Sequence, residues 1–375
     1  MSQRVIISVI SDLATDQRVQ RAASALHNAG YDVTVVCRKL KSSLPLPALP
    51  YKVHRFKLWK EKGMLFYLHY NLKLFSFLLK NDVDILLSND LDTLLPNFLI
   101  SRIRKRKLVY DSHEYFTAVP ELIYRPFKQK MWLLLESVML PRLKNMYTVN
   151  KSIATIYKNL YRIEPKVIRN VPVLHETLPQ SKQVLRKELK LPLDKKIFIL
   201  QGSGINIQRG VEEAAEAISL FTDYLLLIAG SGDVIPLLKQ KVKSKGWSDK
   251  VIFADRMPPS QLRRYTAAAD VGLSLDKDTN LNYRYSLPNK IFDYIHAGIP
   301  VLASHLPEIS NIVRKYNIGM IVHSHEPAEI AQCMQSMMND DAQYQRWISN
   351  AAIAAKELNW NEEQKVLLNL FQNLE

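Results

Sequence analysis

One repeating unit constrains this chain more than any other feature. A short apolar run leads into a polar turn, then an amphipathic helix, then another apolar run. The first instance opens with RVIISVI (4–10), a buried strand. Asp16 is placed to cap a helix over 17–28 with Val19, Ala22, Ala23 and Leu26 on one face. Gly30 stops that helix, and YDVTVVC (31–37) is the next strand. Further strands are expected over 84–87, 107–111 and 146–149, with helices between them. This is the rhythm of a parallel, doubly wound sheet, because parallel neighbours need a crossover helix.

The rhythm breaks at Ile168-Arg-Asn-Val-Pro172 and a polar stretch, 173–195. It restarts with IFILQ (197–201). Helices follow near 209–220, 233–245, 259–268 and 288–297, and strands near 224–229, 251–253, 271–275 and 299–303. The chain has 375 residues, which suits two α/β domains, and a 47% hydrophobic content supports a core in each. Expected boundaries are 1–170 and 171–357. Residues 358–375 are amphipathic, and either lie on the second domain or cross back to brace the first.

Several classes drop out. Cys37 and Cys333, far apart, make neither a disulfide framework nor a zinc site, and suggest a reducing cytoplasm. The start, MSQRVIISVISD, reads as a first strand and not as a signal peptide. No apolar run reaches the roughly 18 residues of a spanning helix. Metal-ligand spacings are missing apart from Asp90-Leu-Asp92, which begins a helix in the first half; no metal is expected.

The formal charge is +15, and its placement is uneven. Residues 1–170 hold 28 Lys+Arg against 13 Asp+Glu, while 171–375 hold 23 against 23. All the excess lies in the first half and favours an anionic partner. The segment FKLWKEKGMLFYLHYNLKLFSFLLK (56–80) mixes Lys with aromatics. As a helix it puts His69, Lys73, Ser76 and Lys80 on one narrow face, which suits a core helix or one lying in a membrane interface. Arg102-Ile-Arg-Lys-Arg-Lys107 adds five cations. An anionic membrane is the expected partner. Nucleic acid is not, since no recognition motif accompanies the charge.

Open parallel sheets bind ligands beyond the carboxyl ends of their strands, so those loops are the candidate sites. In the second half, GSGINIQRG (202–210) brings Gly204, and Arg209 is placed to open a helix, a plausible diphosphate cradle. GSGD (230–233) offers Gly230 and Ser231, and ADRMPPS offers Arg256 to a planar base. The stretch YSLPNKIFDYIHAG (285–298) begins a helix at Ser286, Leu287 and Asn289. Lys290 points to a phosphate and Asp293 to a vicinal diol, unless the two form a solvated i,i+3 pair. In the first half, YDSHEYF sets His113 and Glu114 at the sheet edge, where His113 could bond a sugar, move a proton or be structural. Asp12, Thr15, Asp16 and Asp90 face the same edge, with Asp92 a possible cap.

Taken together, SDLATDQRVQRAASAL, YDSHEYF, RNVP, QRGVEEAAEAI, LLIAGSGD, VIFADRMPPSQLRRYTAAADVGLSL and SLPNKIFDYIHAGIPVLASHLPEISNIV resemble the retaining GT-B glycosyltransferases of family 4 over nearly the whole chain. The resemblance implies two Rossmann-like domains facing across a cleft, the nucleotide-sugar donor in the second and the acceptor in the first. It implies a UDP- or GDP-sugar as substrate, no cofactor, and a glycan or lipid-linked acceptor in cell-envelope synthesis. The two cysteines and the basic first half add the expectation of a cytoplasmic enzyme, peripheral on the inner membrane face. Arg209 sits where the family has a basic residue on the diphosphate, and Asp293 where the second Glu of its Glu-x7-Glu motif holds the ribose. His113 sits where a His approaches the transferred sugar, and 286–290 where amides meet diphosphate and sugar. Two positions depart. The first motif Glu falls at Tyr285, and a second family Arg falls at Gly204. These keep open a non-catalytic nucleotide-sugar binder and a GT-B nucleotide-sugar epimerase.

Overall fold

The computed structural model describes residues 2–174 and 180–375, so residues 175–179 of the polar stretch lie outside it. The chain divides into two compact units. Unit 1 is Met1–Asn170 with Trp360–Glu375, and unit 2 is Val171–Asn359.

Unit 1 holds strands β1 (Arg4–Ser8), β2 (Asp32–Lys39), β3 (Lys52–Lys57), β4 (Ile85–Asn89), β5 (Lys107–Ser112), β6 (Asn145–Thr148) and β7 (Lys166–Val167). They lie in the order β3-β2-β1-β4-β5-β6-β7, every pair parallel. Its helices are α1 (Gln17–Asn28), α2 (Met64–Lys80), α3 (Leu91–Ile103), α4 (Pro120–Ile123), α5 (Pro126–Met139) and α6 (Lys151–Tyr161). The Asp16 carboxylate caps α1 by accepting from the Val19 amide at 3.1 Å. Strand order reverses between β1 and β4, so the loops leaving them part and open a crevice at their carboxyl ends.

Unit 2 holds β8 (Lys196–Gly202), β9 (Tyr224–Gly230), β10 (Val251–Ala254), β11 (Val271–Ser274), β12 (Val301–Ser304) and β13 (Gly319–Val322). They form a parallel sheet in the order β10-β9-β8-β11-β12-β13, which reverses between β8 and β11. The helices are α7 (Lys182–Glu188), α8 (Val211–Ser219), α9 (Ile235–Ser244), α10 (Pro259–Ala268), α11 (Leu281–Arg284), α12 (Asn289–Ala297), α13 (Pro307–Tyr316), α14 (Pro327–Asn339) and α15 (Asp341–Glu357). The unbroken apolar runs follow from burial on both faces. Along β8, Ile197 and Ile199 enter one core while Phe198 and Leu200 enter the other.

Helix α12 is fastened under the reversal point. The Tyr294 hydroxyl lies 3.0 Å from the Leu273 carbonyl and 3.2 Å from that of Ile199. A Cβ on Gly272 would meet the Tyr294 ring at 2.2 Å, so β11 needs glycine there to let α12 seat.

The last helix, α16 (Trp360–Gln372), packs within unit 1. Glu363 accepts from the Arg169 amide at 2.8 Å and pairs with its guanidinium at 2.6 Å. Leu367 and Phe371 are buried, each contributing about 1.5–3 kcal/mol.

Candidate functional site

The reversal point of unit 2 gathers residues distant in sequence. Asp276, just beyond the end of β11, is fully buried. One of its oxygens meets an Arg209 nitrogen at 2.6 Å, and the other lies 3.3 Å from Lys290 Nζ. Ser274 Oγ donates to that second oxygen at 3.2 Å. Burial works to raise the Asp276 pKa, but Lys290 and Arg209 outweigh it and hold the carboxyl below its usual range. Burial pulls the Lys290 pKa down, with Asp276 opposing it. The triad therefore carries two cations on one carboxylate, a surplus of positive charge in a desolvated place. The Arg209 guanidinium also lies 4.1 Å from the centre of the Tyr283 ring.

Local backbone explains how Arg209 gets there. It lies in a turn two residues before α8, between Gln208 (φ 71°) and Gly210 (φ 74°), and so does not open the helix. A Cβ on Gly210 would sit 2.2 Å from the Leu275 carbonyl oxygen. Only glycine lets the turn approach close enough to set Arg209 beside Asp276.

Lys290 and Asp293 do not form an i,i+3 pair. Lys290 turns to Asp276, while Asp293 accepts from Gln201 Nε2 at 2.9 Å. Gln201, next to last in β8, accepts from the Thr266 hydroxyl at 2.6 Å. Arg209, Lys290, Asp293 and the start of α12 thus meet at one strand edge. Among the described residues no side chain caps α12, which leaves its first amides to face an anion. Asn289 is exposed in its first turn, Leu287 packs on the core, and the Ser286 hydroxyl donates to the Tyr283 carbonyl. Gly204 is exposed, with room for a side chain, and Ser231 ties the β8 and β9 loops through its backbone. Gly230 (φ 135°) lies against the Gly202 carbonyl. Arg256 is exposed beyond β10, the edge strand, with β9 between it and β8.

Unit 1 places a different network at its reversal point. Arg18 clasps Asp111 through two bonds, 2.9 and 2.6 Å, and donates to the Ile168 carbonyl. His113 Nε2 lies 3.0 Å from Asp111, and its Nδ1 lies 3.2 Å from Asp90. Burial lowers the His113 pKa, but Asp90 and Asp111 override it and raise it to about 9. Burial raises the Asp111 pKa, but Arg18 and His113 bring it down to about 2. With both ring nitrogens on carboxylates, His113 is a hydrogen-bond donor and a charge at neutral pH, not a proton acceptor. Asp90 holds a left-handed φ of 56° and accepts from the His113 amide at 2.9 Å. Asp92 does not cap α3. It is buried in the first turn, and burial, then Asp90, raise its pKa well above normal.

The other first-half candidates are engaged within the unit. Asp12 is buried against Arg55 at 2.7 Å. The Thr15 hydroxyl donates to the Asp12 carbonyl, and Asp16 caps α1. The Glu114 carbonyl accepts from Ser112.

A family model described as Glycosyl transferases group 1 matches residues 181–353, and one described as Glycosyltransferase Family 4 matches 16–172. The chain belongs to these GT-B glycosyltransferases. D-inositol 3-phosphate glycosyltransferase of Acidothermus cellulolyticus is 25% identical over 230 residues, 57% of this chain. Chitobiosyldiphosphodolichol beta-mannosyltransferase of Candida albicans is 26% identical over 153 residues, 40% of this chain. The matches span half and a third of those relatives' own lengths. Among solved structures, Anabaena HepE in complex with UDP and glucose superposes with TM-score 0.77 at 16% identity, covering 99% of this chain and 100% of that one. The group 1 match falls on the unit with the cationic triad.

Asp276, Gln201, Arg18 and Asp111 were not singled out from the sequence. Each lies near the carboxyl end of a strand or the start of the helix that follows one, and that position is the signal that could have found them.

Proposed function

We propose that this glycosyltransferase moves a sugar from a nucleoside-diphosphate sugar to a hydroxyl of a glycan or lipid-linked acceptor, with retention. The surplus charge at Arg209–Asp276–Lys290 carries the reading. A diphosphate entering there meets two cations and the first amides of α12, which stabilise the charge that grows on the leaving group. Asp293, held by Gln201, suits the two ribose hydroxyls. The acceptor attacks from the face the diphosphate leaves, and a departing phosphate oxygen takes its proton. In this reading His113, held between Asp90 and Asp111, does not act as base.

UDP is the first donor to try, since HepE holds UDP, with GDP next. The positive first half supports a cytoplasmic protein peripheral on an anionic membrane, with the acceptor in the cell envelope. Titration calorimetry with UDP, GDP and ADP, on wild type and Asp293→Ala, tests the donor site. One nucleotide bound by wild type and weakened in the variant supports it; binding of none sinks it. Tyr285, in the place of the first motif Glu, favours a second reading, a nucleotide-sugar binder or epimerase without transfer. Product analysis with donor alone separates these.

A further inference from the structure

The outer surface of one helical layer in unit 1 does not look like a protein surface in water. Helix α2 buries Phe66, Tyr70, Leu74 and Leu78, yet a second apolar stripe, Leu65, Leu68, Leu72 and Leu79, is exposed. Helix α3 packs beside α2 and exposes Leu99 and Ile103. Helix α5 packs beside α3 and exposes Phe127, Met131, Leu134 and Val138, at i, i+4, i+7 and i+11. Trp132 of α5 meets Tyr67 of α2 edge-on at 5.6 Å, so the three helices form one continuous layer. Single exposed leucines are ordinary, as on unit 2, but three adjacent stripes are not.

Charge on this layer has one sign. Its helices hold only two carboxylates, Asp92 and Glu136, and both are buried. The exposed charges are cations, among them Lys80, Arg102 and Lys130. At the end of α3, a cavity of about 270 Å³ is lined by Arg102, Lys105, Arg106, Lys107, Arg142 and Lys144, with Glu375 the carboxylate among its lining residues.

We infer that the α2–α3–α5 face docks on a bilayer containing anionic phospholipid, its leucines entering the acyl boundary and its cations meeting phosphates. Apolar stripes without carboxylates match such a surface and would oppose a second basic copy of the same face. The inference deepens the membrane part of the proposed function, but it needs no sugar transfer. Its test is separate from nucleotide calorimetry, so the two can fail independently.

The experiment is flotation of the whole protein with phosphatidylglycerol–phosphatidylcholine vesicles and with phosphatidylcholine alone, at low salt and at about 0.5 M salt. Wild type is expected to float with the anionic vesicles and to keep part of that binding at high salt, the mark of insertion. Leu68→Gln with Leu134→Gln should lower binding about tenfold. Lys80→Glu with Lys130→Glu, which leaves the apolar stripes intact, should lower it at low salt. Nucleotide binding should stay unchanged in both variants. Wild type that ignores anionic vesicles overturns the inference. So does a dimer in light scattering that the leucine substitutions dissolve, since the face then meets a second copy.

Discussion

At the reversal point of unit 1, Arg18 and His113 face Asp111 and Asp90; at that of unit 2, Arg209 and Lys290 face Asp276 alone. Both sets lie at strand carboxyl ends, and both are largely withdrawn from water. The first balances its charges. The second leaves one positive charge unmatched within the triad. A balanced network holds residues in place, whereas an unbalanced one waits for an anion. Under the proposed function that difference makes unit 2 the unit for a diphosphate, although unit 1 carries most of the chain's excess charge.

The largest effects should come from removing the central carboxylates. Asp276→Asn takes the carboxylate from between Arg209 and Lys290 and should cost about 3 kcal/mol in urea unfolding. Nucleotide affinity should rise several-fold, because the carboxylate no longer competes for the cations. Asp111→Asn should cost a similar amount with nucleotide affinity untouched. If both variants weaken nucleotide binding alike, the comparison between the two networks is wrong.

Lys290→Ala cuts the other way. It removes the surplus charge and should raise the Kd for the nucleoside diphosphate about a hundredfold by calorimetry. An unchanged Kd would move the diphosphate elsewhere.

A smaller effect lies in pH. His113 titrates near 6.5 when unfolded and near 9 when folded. A raised folded pKa means the folded state binds the proton more tightly. Its contribution is fully present below pH 6.5 and is lost as pH rises through about 9. Urea midpoints of wild type should fall across that window, and His113→Gln should flatten the fall. A parallel fall in both proteins would show that the proton on His113 does not matter to folding.

How legible this was in the sequence depends on the range of the signal. The alternation of apolar runs and amphipathic helices is local, and it marked most of the strands of both sheets. β3, KVHRFK, was not foreseen, because an edge strand alternates apolar with charged residues and resembles a loop. Arg209, Lys290 and Asp293 could be named from loop position and family pattern, but what they touch could not. Asp276 is one acid in a polar loop, and its role appears only when residues 209 and 290 converge on it. Helix α2 failed in another way. Its composition is apolar almost all round, so the sequence could not say that one stripe is covered and the other is not.

Glu136 sharpens the comparison at its weakest point, since unit 1 is not balanced everywhere. This carboxylate, on α5, is fully buried; it accepts from the Tyr161 hydroxyl at 2.7 Å and, among the described residues, pairs with no cation. Burial raises its pKa from 4.5 to about 7, against the opposing hydrogen bond of Tyr161. The sign follows as for His113. The protonated form suits the fold, its contribution is whole below pH 4.5, and it fades as pH rises through about 7. Glu136→Gln keeps the shape and removes the charge, so it should stabilise the protein by about 1 kcal/mol above pH 7 and do nothing at pH 4. The gain is small because the amide brings donors that also need partners. A variant less stable than wild type at pH 8 would mean that the ionised carboxylate finds a counter-charge in solution, and unit 1 would then be the better-balanced unit throughout.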